Sequence, residues 1–255
     1  MNEKYWRLNQ RQTAYHESGH AIIKCLFGEG EHIDYVALHG TDEELGRIQI
    51  KPGYSLILQD IHQLLQARIS HAAIERKITR YIVYCFAGDA SEQKLAEFSR
   101  DVHSSLHDEM LSELGLQYKV GGNLQWYKNY DIYEEWWETL FSGSFDCFYA
   151  RNDFELASGA AFLLTGDDED KVRDFLDRCA KIADRFVNNA RIWSCINLLA
   201  IDLLESKSES LLGDVIHEKY SPRLCGIEDD EGLIELAATD ASIVDPHCIG
   251  FLVRR

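Results

Sequence analysis

Proline is nearly missing, with three in 255 residues, so little in the chain interrupts helices and a helix-rich domain is expected. No run approaches the roughly 18 apolar residues of a membrane span, and the opening MNEKYWRLNQRQ carries no apolar signal segment. No phosphate loop and no GxGxxG occurs, which removes the usual nucleotide cradles. Basic residues are scarce: 26 Lys+Arg stand against 43 Asp+Glu, a formal net charge of -17. A surface that acidic repels phosphate backbones and anionic lipid, so neither nucleic acid nor membrane is an expected partner. The seven cysteines are odd in number and form no CxxC pair. They read as reduced thiols, and together with the missing signal they point to the cytoplasm.

What is present looks globular. Hydrophobic residues make up 45% and charged residues 27%, far from the composition of disordered chains, and the length suffices for a sizeable core. His16, His20, Ile23 and Phe27 recur at helical spacing before Gly28-Glu29-Gly30, which predicts a helix over residues 12 to 27. Residues 33 to 38 and 45 to 50 read as two strands of a hairpin, with the turn between Gly40 and Glu44. Residues 55 to 98 carry a helical pattern. In the last third, Val172, Phe175, Leu176, Cys179, Ile182, Ala183, Phe186 and Val187 repeat every three or four residues, and Ile192, Ile196, Leu199 and Leu203 continue the theme. Trp126, Tyr130, Tyr133, Trp137 and Phe141 suit one helix face, as core packing of an inserted segment or as a binding surface. After Ser221-Pro222 periodicity fades, so residues 221 to 255 read as a peripheral tail. The expected fold is therefore mainly α with a small β-hairpin or sheet.

The chemistry concentrates at His16-Glu17-Ser18-Gly19-His20, an HExxH motif. Four residues of helix advance about 400 degrees, so both imidazoles lie on one face and can reach one ion. Zinc accepts imidazole nitrogen at about 2.0 to 2.1 Å and keeps an open position for water in catalytic sites. Glu17 is placed to act as general base on that water and then as acid toward the departing amine. Two buried histidines without metal are the plain alternative. Gly19 inside a helix costs about 1 kcal/mol relative to Ala, which close approach of another segment would explain.

The stretch from Thr13 to Ala21, Thr-Ala-Tyr-His-Glu-Ser-Gly-His-Ala, resembles the opening of the peptidase domain of FtsH-type AAA+ zinc proteases. Residues 36 to 50 look like that family's hairpin. Ala87-Gly88-Asp89-Ala90-Ser91-Glu92 is similar to its Gly-Gly-Arg-Ala-Ala-Glu segment, with Asp89 in place of the usual arginine. Residues 150 to 157 look like the segment whose aspartate supplies the third zinc ligand, and 171 to 220 resemble the C-terminal helices. The resemblance implies an FtsH-peptidase-like zinc metallopeptidase domain over residues 1 to 220, with insertions at about 51 to 78 and 99 to 149. It implies Asp153 as third ligand beside His16 and His20, and Glu92 as a carboxylate holding a ligand histidine. Ala157, Ala160 and Leu164 follow Asp153 at helical spacing and turn it inward. A helix cap is the alternative role for Asp153, and Asp101 and Asp146 are the next candidate ligands.

The family's ATPase domain is not in this sequence, so the expectation is ATP-independent hydrolysis of peptides or unfolded proteins, with a separate unfoldase as a partner to consider. An inactive metal-binding interaction module and a zinc hydrolase of a non-peptide amide remain as alternatives. A strand at residues 45 to 50 with a free edge favours an extended peptide. A second HxxxH, His103 and His107 with Asp108 and Glu109, has metal-binding spacing without the embedded glutamate.

Overall fold

The computed structural model describes residues 3–38, 46–54, 61, 71–102, 134–142 and 152–227. Within them the chain is mainly helical with a small three-stranded antiparallel sheet. The order is α1 (Glu3–Leu26), a 3₁₀ turn (Gly30–His32), β1 (Ile33–Ala37), β2 (Arg47–Ile50), α2 (His71–Val102), α3 (Glu134–Phe141), α4 (Asp153–Thr165), α5 (Glu169–Asn188), α6 (Ala190–Glu205), β3 (Ser210–Leu212) and α7 (Gly213–Leu224).

Helix α1 starts well before the expected residue 12. The added turns are rich in Glu, Lys, Leu, Gln and Arg, which favour helix without needing an apolar stripe. It packs along α2 and α6, and α2 packs in turn on α4 and α5. The contact of α1 with α2 is close because of Gly19: a Cβ there would fall 2.5 Å from the Ala87 carbonyl oxygen. The expected reason for a mid-helix glycine is thus present, and the Tyr15 hydroxyl ties the same helix to Asn197 of α6.

In α5 every third or fourth residue is buried, from Val172 through Phe175, Leu176, Cys179 and Ile182 to Phe186, so the apolar face predicted from the spacing is the core face. Asp168 caps its start through Lys171 N. One residue, Asn189, ends α5 and begins α6: its side chain accepts from Arg191 N and Ile192 N at 2.9 and 3.3 Å. Trp137 and Phe141 pack as a core pair, 5.3 Å between rings, and Trp137 Nε1–H donates to Glu169 Oε1 at 2.9 Å. Trp126, Tyr130 and Tyr133 of the same stripe lie outside the described residues.

The hairpin forms with Val36 opposite Ile48 and Ala37 opposite Arg47, and a bulge between Ile33 and Tyr35. The turn at residues 40 to 44 lies outside the described residues. On the other side β1 pairs with β3, so the strand order is β2-β1-β3, and among the described residues β2 is an edge. The expected boundary at 221 falls inside α7, whose Leu224 is buried, as is Ile227 beyond it. Pro222 sits two residues from the helix end and lacks the N–H that a helical residue donates to the carbonyl four before it. Arg191 meanwhile donates to the Arg223 and Cys225 carbonyls at 2.7 and 3.2 Å, satisfying groups the ending helix leaves open. Residues 71 to 78, expected within an insertion, are the first turns of α2, with Ile74 and Ile78 in the core. Among the described residues no helix is long and apolar enough to cross a membrane, and Cys25, Cys85, Cys179, Cys195 and Cys225 are free thiols.

Candidate metal centre

Helix α1 carries His16, Glu17 and His20, and the one-turn spacing sets both imidazoles on the face turned to α2. There the backbone of α2 must come close, and Gly88 makes room: a Cβ at this position would lie 2.5 Å from His20 Nε2 and 2.6 Å from His16 Nε2. Helix α4 delivers the third side chain. Asn152 takes the capping role by accepting from Glu155 N at 2.9 Å, which leaves Asp153 free to face the histidines rather than cap its own helix.

The three groups converge. Asp153 Oδ2 is 3.2 Å from His16 Nε2 and 3.2 Å from His20 Nε2, and the two Nε2 atoms are 2.9 Å apart. Donors about 2.0 to 2.1 Å from a tetrahedral ion stand about 3.3 Å from one another, so this triangle needs little adjustment to hold one. The remaining ring nitrogens are turned outward. His20 Nδ1–H donates to the Tyr84 carbonyl at 2.7 Å, which leaves its Nε2 as a lone pair. His16 Nδ1 stands 2.7 Å from Glu92 Oε1 and 3.6 Å from Asp89 Oδ1. At that distance Glu92 favours a proton on Nδ1 both as a hydrogen-bond partner and by its charge. Two carboxylates favour the proton on Nδ1, and both histidines then aim Nε2 lone pairs at each other and at Asp153. Lone pairs at 2.9 to 3.2 Å repel unless positive charge lies among them, and either a proton or a metal cation supplies it, so the donor set has the shape of a cation site. Ligand histidines held through the second nitrogen in this way are usual at metal centres.

The electrostatics agree. Burial works to lower the pKa of His16, but Asp153, Glu92 and Asp89 outweigh it and hold the ring well above its ordinary value. His20 is likewise raised by Asp153 and Glu17 against burial and His16. Burial opposes ionisation of Asp153, yet His20 and His16 keep its pKa far down. Burial pushes the Glu17 carboxyl up, against the pull of both imidazoles. Asp89 is raised by withdrawal from bulk water and then by Glu92 and Asp153, with His16 pulling the other way. The cluster favours positive charge at the imidazoles.

Glu17 is buried, and β2 approaches it at Gly46, where a Cβ would fall 2.8 Å from Glu17 Oε1 and 2.2 Å from Thr13 Cγ2. The edge strand thus begins against the candidate general base. The four site residues expected from the sequence, His16, Glu17, His20 and Asp153, are brought close together, and Glu92 stands beside His16 Nδ1. Not foreseen were the Tyr84 carbonyl, Gly88 and the nearness of Asp89. Their i, i+4, i+5 spacing with Glu92 at i+8 is a helix-face signal, but only a known facing helix gives it meaning. His103, His107 and Asp146 lie outside the described residues, as does the side chain of Asp101. No family model, curated protein or solved structure matches the chain.

Proposed function

We propose that the cleft is the active site of a zinc metallopeptidase of the FtsH-peptidase type that hydrolyses peptides or unfolded chains without ATP. The observation that carries this reading is the triangle of His16 Nε2, His20 Nε2 and Asp153 Oδ2, with edges of 2.9 to 3.2 Å, beside the buried Glu17. These three residues would hold the metal, and two imidazoles with one carboxylate are a donor set that suits zinc. Zinc bound there supplies Lewis acidity, which raises the acidity of a water and polarises the scissile carbonyl. Glu17 takes the proton from the attacking water and returns it to the departing amine, within a buried setting that keeps its carboxyl basic enough for the task. Glu92 and the Tyr84 carbonyl orient the ligand rings. An extended peptide pairs with the outer edge of β2, whose first residues pass Glu17, and so brings its backbone to the reacting groups.

The test is cleavage of casein, an unstructured protein, by the purified chain, with zinc measured on the same samples. Glu17→Gln is expected to abolish hydrolysis while keeping about one zinc per chain, because Glu17 handles protons and makes no metal bond. Equal cleavage by both proteins would overturn the assignment.

A further inference from the structure

Lys24 is 8% exposed and is the one buried lysine or arginine among the described residues. It lies on α1 one turn beyond His20, and the way α1 ends fixes its side chain. Gly28 takes a φ of 76°, and the N–H groups of Gly28 and Glu29 donate back to the Cys25 and Lys24 carbonyls at 3.1 and 2.9 Å. This glycine-based termination closes the last turn and satisfies carbonyls that the helix would leave open. It also returns Glu29 alongside Lys24, whose Nζ donates to Glu29 Oε2 at 2.7 Å. From there the ammonium stands over the Tyr84 ring of α2, 5.1 Å from its centroid. The same ring lies 4.9 Å from the His20 imidazole, and the Tyr84 carbonyl accepts from His20 Nδ1–H at 2.7 Å.

We infer that Lys24, anchored by Glu29, is a positioning residue for the ligand histidine His20: it holds the Tyr84 ring against the imidazole, which keeps the Tyr84 carbonyl on Nδ1 and turns Nε2 to the centre. The inference rests on the metal-centre reading of the cleft and does not depend on peptide hydrolysis. Burying an ammonium is costly unless strong partners meet it, and a methionine of similar length would cover the ring without that cost. The charge is used by what it touches, a carboxylate and the electron-rich face of an aromatic ring. Two consecutive turns of α1, at His20 and Lys24, thus grip one residue of α2. Ring and carbonyl belong to that one residue, so fixing the ring limits the movement of the carbonyl. Partners that orient the second nitrogen of a ligand histidine change metal affinity without touching the ion.

The experiment uses the full chain and two readouts that need no turnover. One is the exchange with water of the His20 Nδ1 proton, followed by nitrogen-edited NMR in the zinc-free protein; the other is zinc affinity from competition with a chelator. Lys24→Met is expected to speed that exchange about tenfold and to weaken zinc binding about tenfold, while the backbone amides of α1 stay as protected as in the wild type. Lys24→Arg, which keeps a cation over the ring, should restore both. Tyr84→Leu keeps the carbonyl but not the ring and should reproduce the losses of Lys24→Met, with the double variant no worse than either single one. Unchanged Nδ1 exchange in Lys24→Met, or additive losses in the double variant, overturns the inference. So does a parallel rise in exchange at the α1 amides, since Lys24 would then serve the fold and not the ligand. If Lys24→Met does not fold, Glu29→Gln, which frees the ammonium from its anchor and leaves the backbone termination intact, is read in the same way. A wild-type protein that binds no zinc counts against the metal centre, and the Nδ1 exchange still decides whether Lys24 positions His20.

Discussion

The cleft among α1, α2 and α4 and the layer formed by α5, α6 and α7 use the same residue types to opposite ends. In the layer, charges are spaced one turn apart and paired, as Arg173 is with Glu169 and Lys181 with Asp177, while the apolar face of α5 is continuous and Asp168 and Asn189 cap the starts of α5 and α6. In the cleft, acids face acids, a glycine keeps two helices close, and polar groups are buried against one another. A fold gains nothing from such crowding on its own, since each buried charge without a strong partner is destabilising. The contrast marks these residues as the place where a ligand's charge would offset a cost that the fold alone does not need.

That contrast can be broken most severely at Asp153. Asp153→Ala should lower zinc affinity at least 100-fold and remove hydrolysis, as measured by zinc titration and casein cleavage. A mere cap would cost only about 0.5 to 2 kcal/mol of stability, so full zinc occupancy in the variant would move the ligand elsewhere. Gly88→Ala comes next. The added methyl meets both imidazoles, so zinc binding and activity should fall together while circular dichroism stays helical; a fully loaded, active variant would mean that the helices part more easily than the geometry implies. Glu92→Gln should be milder, costing about 10- to 100-fold in zinc affinity, because it acts through His16 and not on the ion.

The smallest effect belongs to the layer. Asp202 accepts from Lys219 and from the Tyr220 hydroxyl, the latter at 2.6 Å, and these bonds depress its pKa against partial burial. A depressed carboxyl contributes stability that is present above its unfolded pKa of about 3.9 and lost as pH falls through its lower folded value. Asp202→Asn should therefore destabilise by about 0.5 to 1.5 kcal/mol at neutral pH, with the difference from wild type closing below about pH 4. Urea unfolding at several pH values checks this; a constant difference would show that the charge is irrelevant.

How much of this was legible in the sequence depended on range. His16, Glu17 and His20 were readable because their geometry is set by one helix turn. The faces of α5 and α6 were readable for the same reason, and the hairpin because β1 and β2 are close in sequence. Asp153 came through resemblance, supported by the spacing of Ala157, Ala160 and Leu164, which left a cap as the alternative; in the structure Asn152 takes that role. Strand β3 was read as part of a helical segment: three residues leave no alternation to detect, and its pairing with Ala37 and Val36 is distant in sequence. Residues from 221 on were read as a peripheral tail because periodicity fades there, whereas the helix continues to Leu224, its end held by Arg191 from α6. Asp89 was noted as a departure in charge, but its meaning needed the facing helix.

The donors of the centre are separated by 137 positions along the chain, from His16 on α1 to Asp153 on α4. During synthesis the HExxH helix is therefore made long before Asp153, and a nascent chain holds two of the candidate donors without the third. On the proposed reading the site is incomplete until α4 has been made and docked on α2. An ion held there would then join the first helix to the fourth as a removable cross-link between distant parts of the chain, so that completing the site would also fasten the fold.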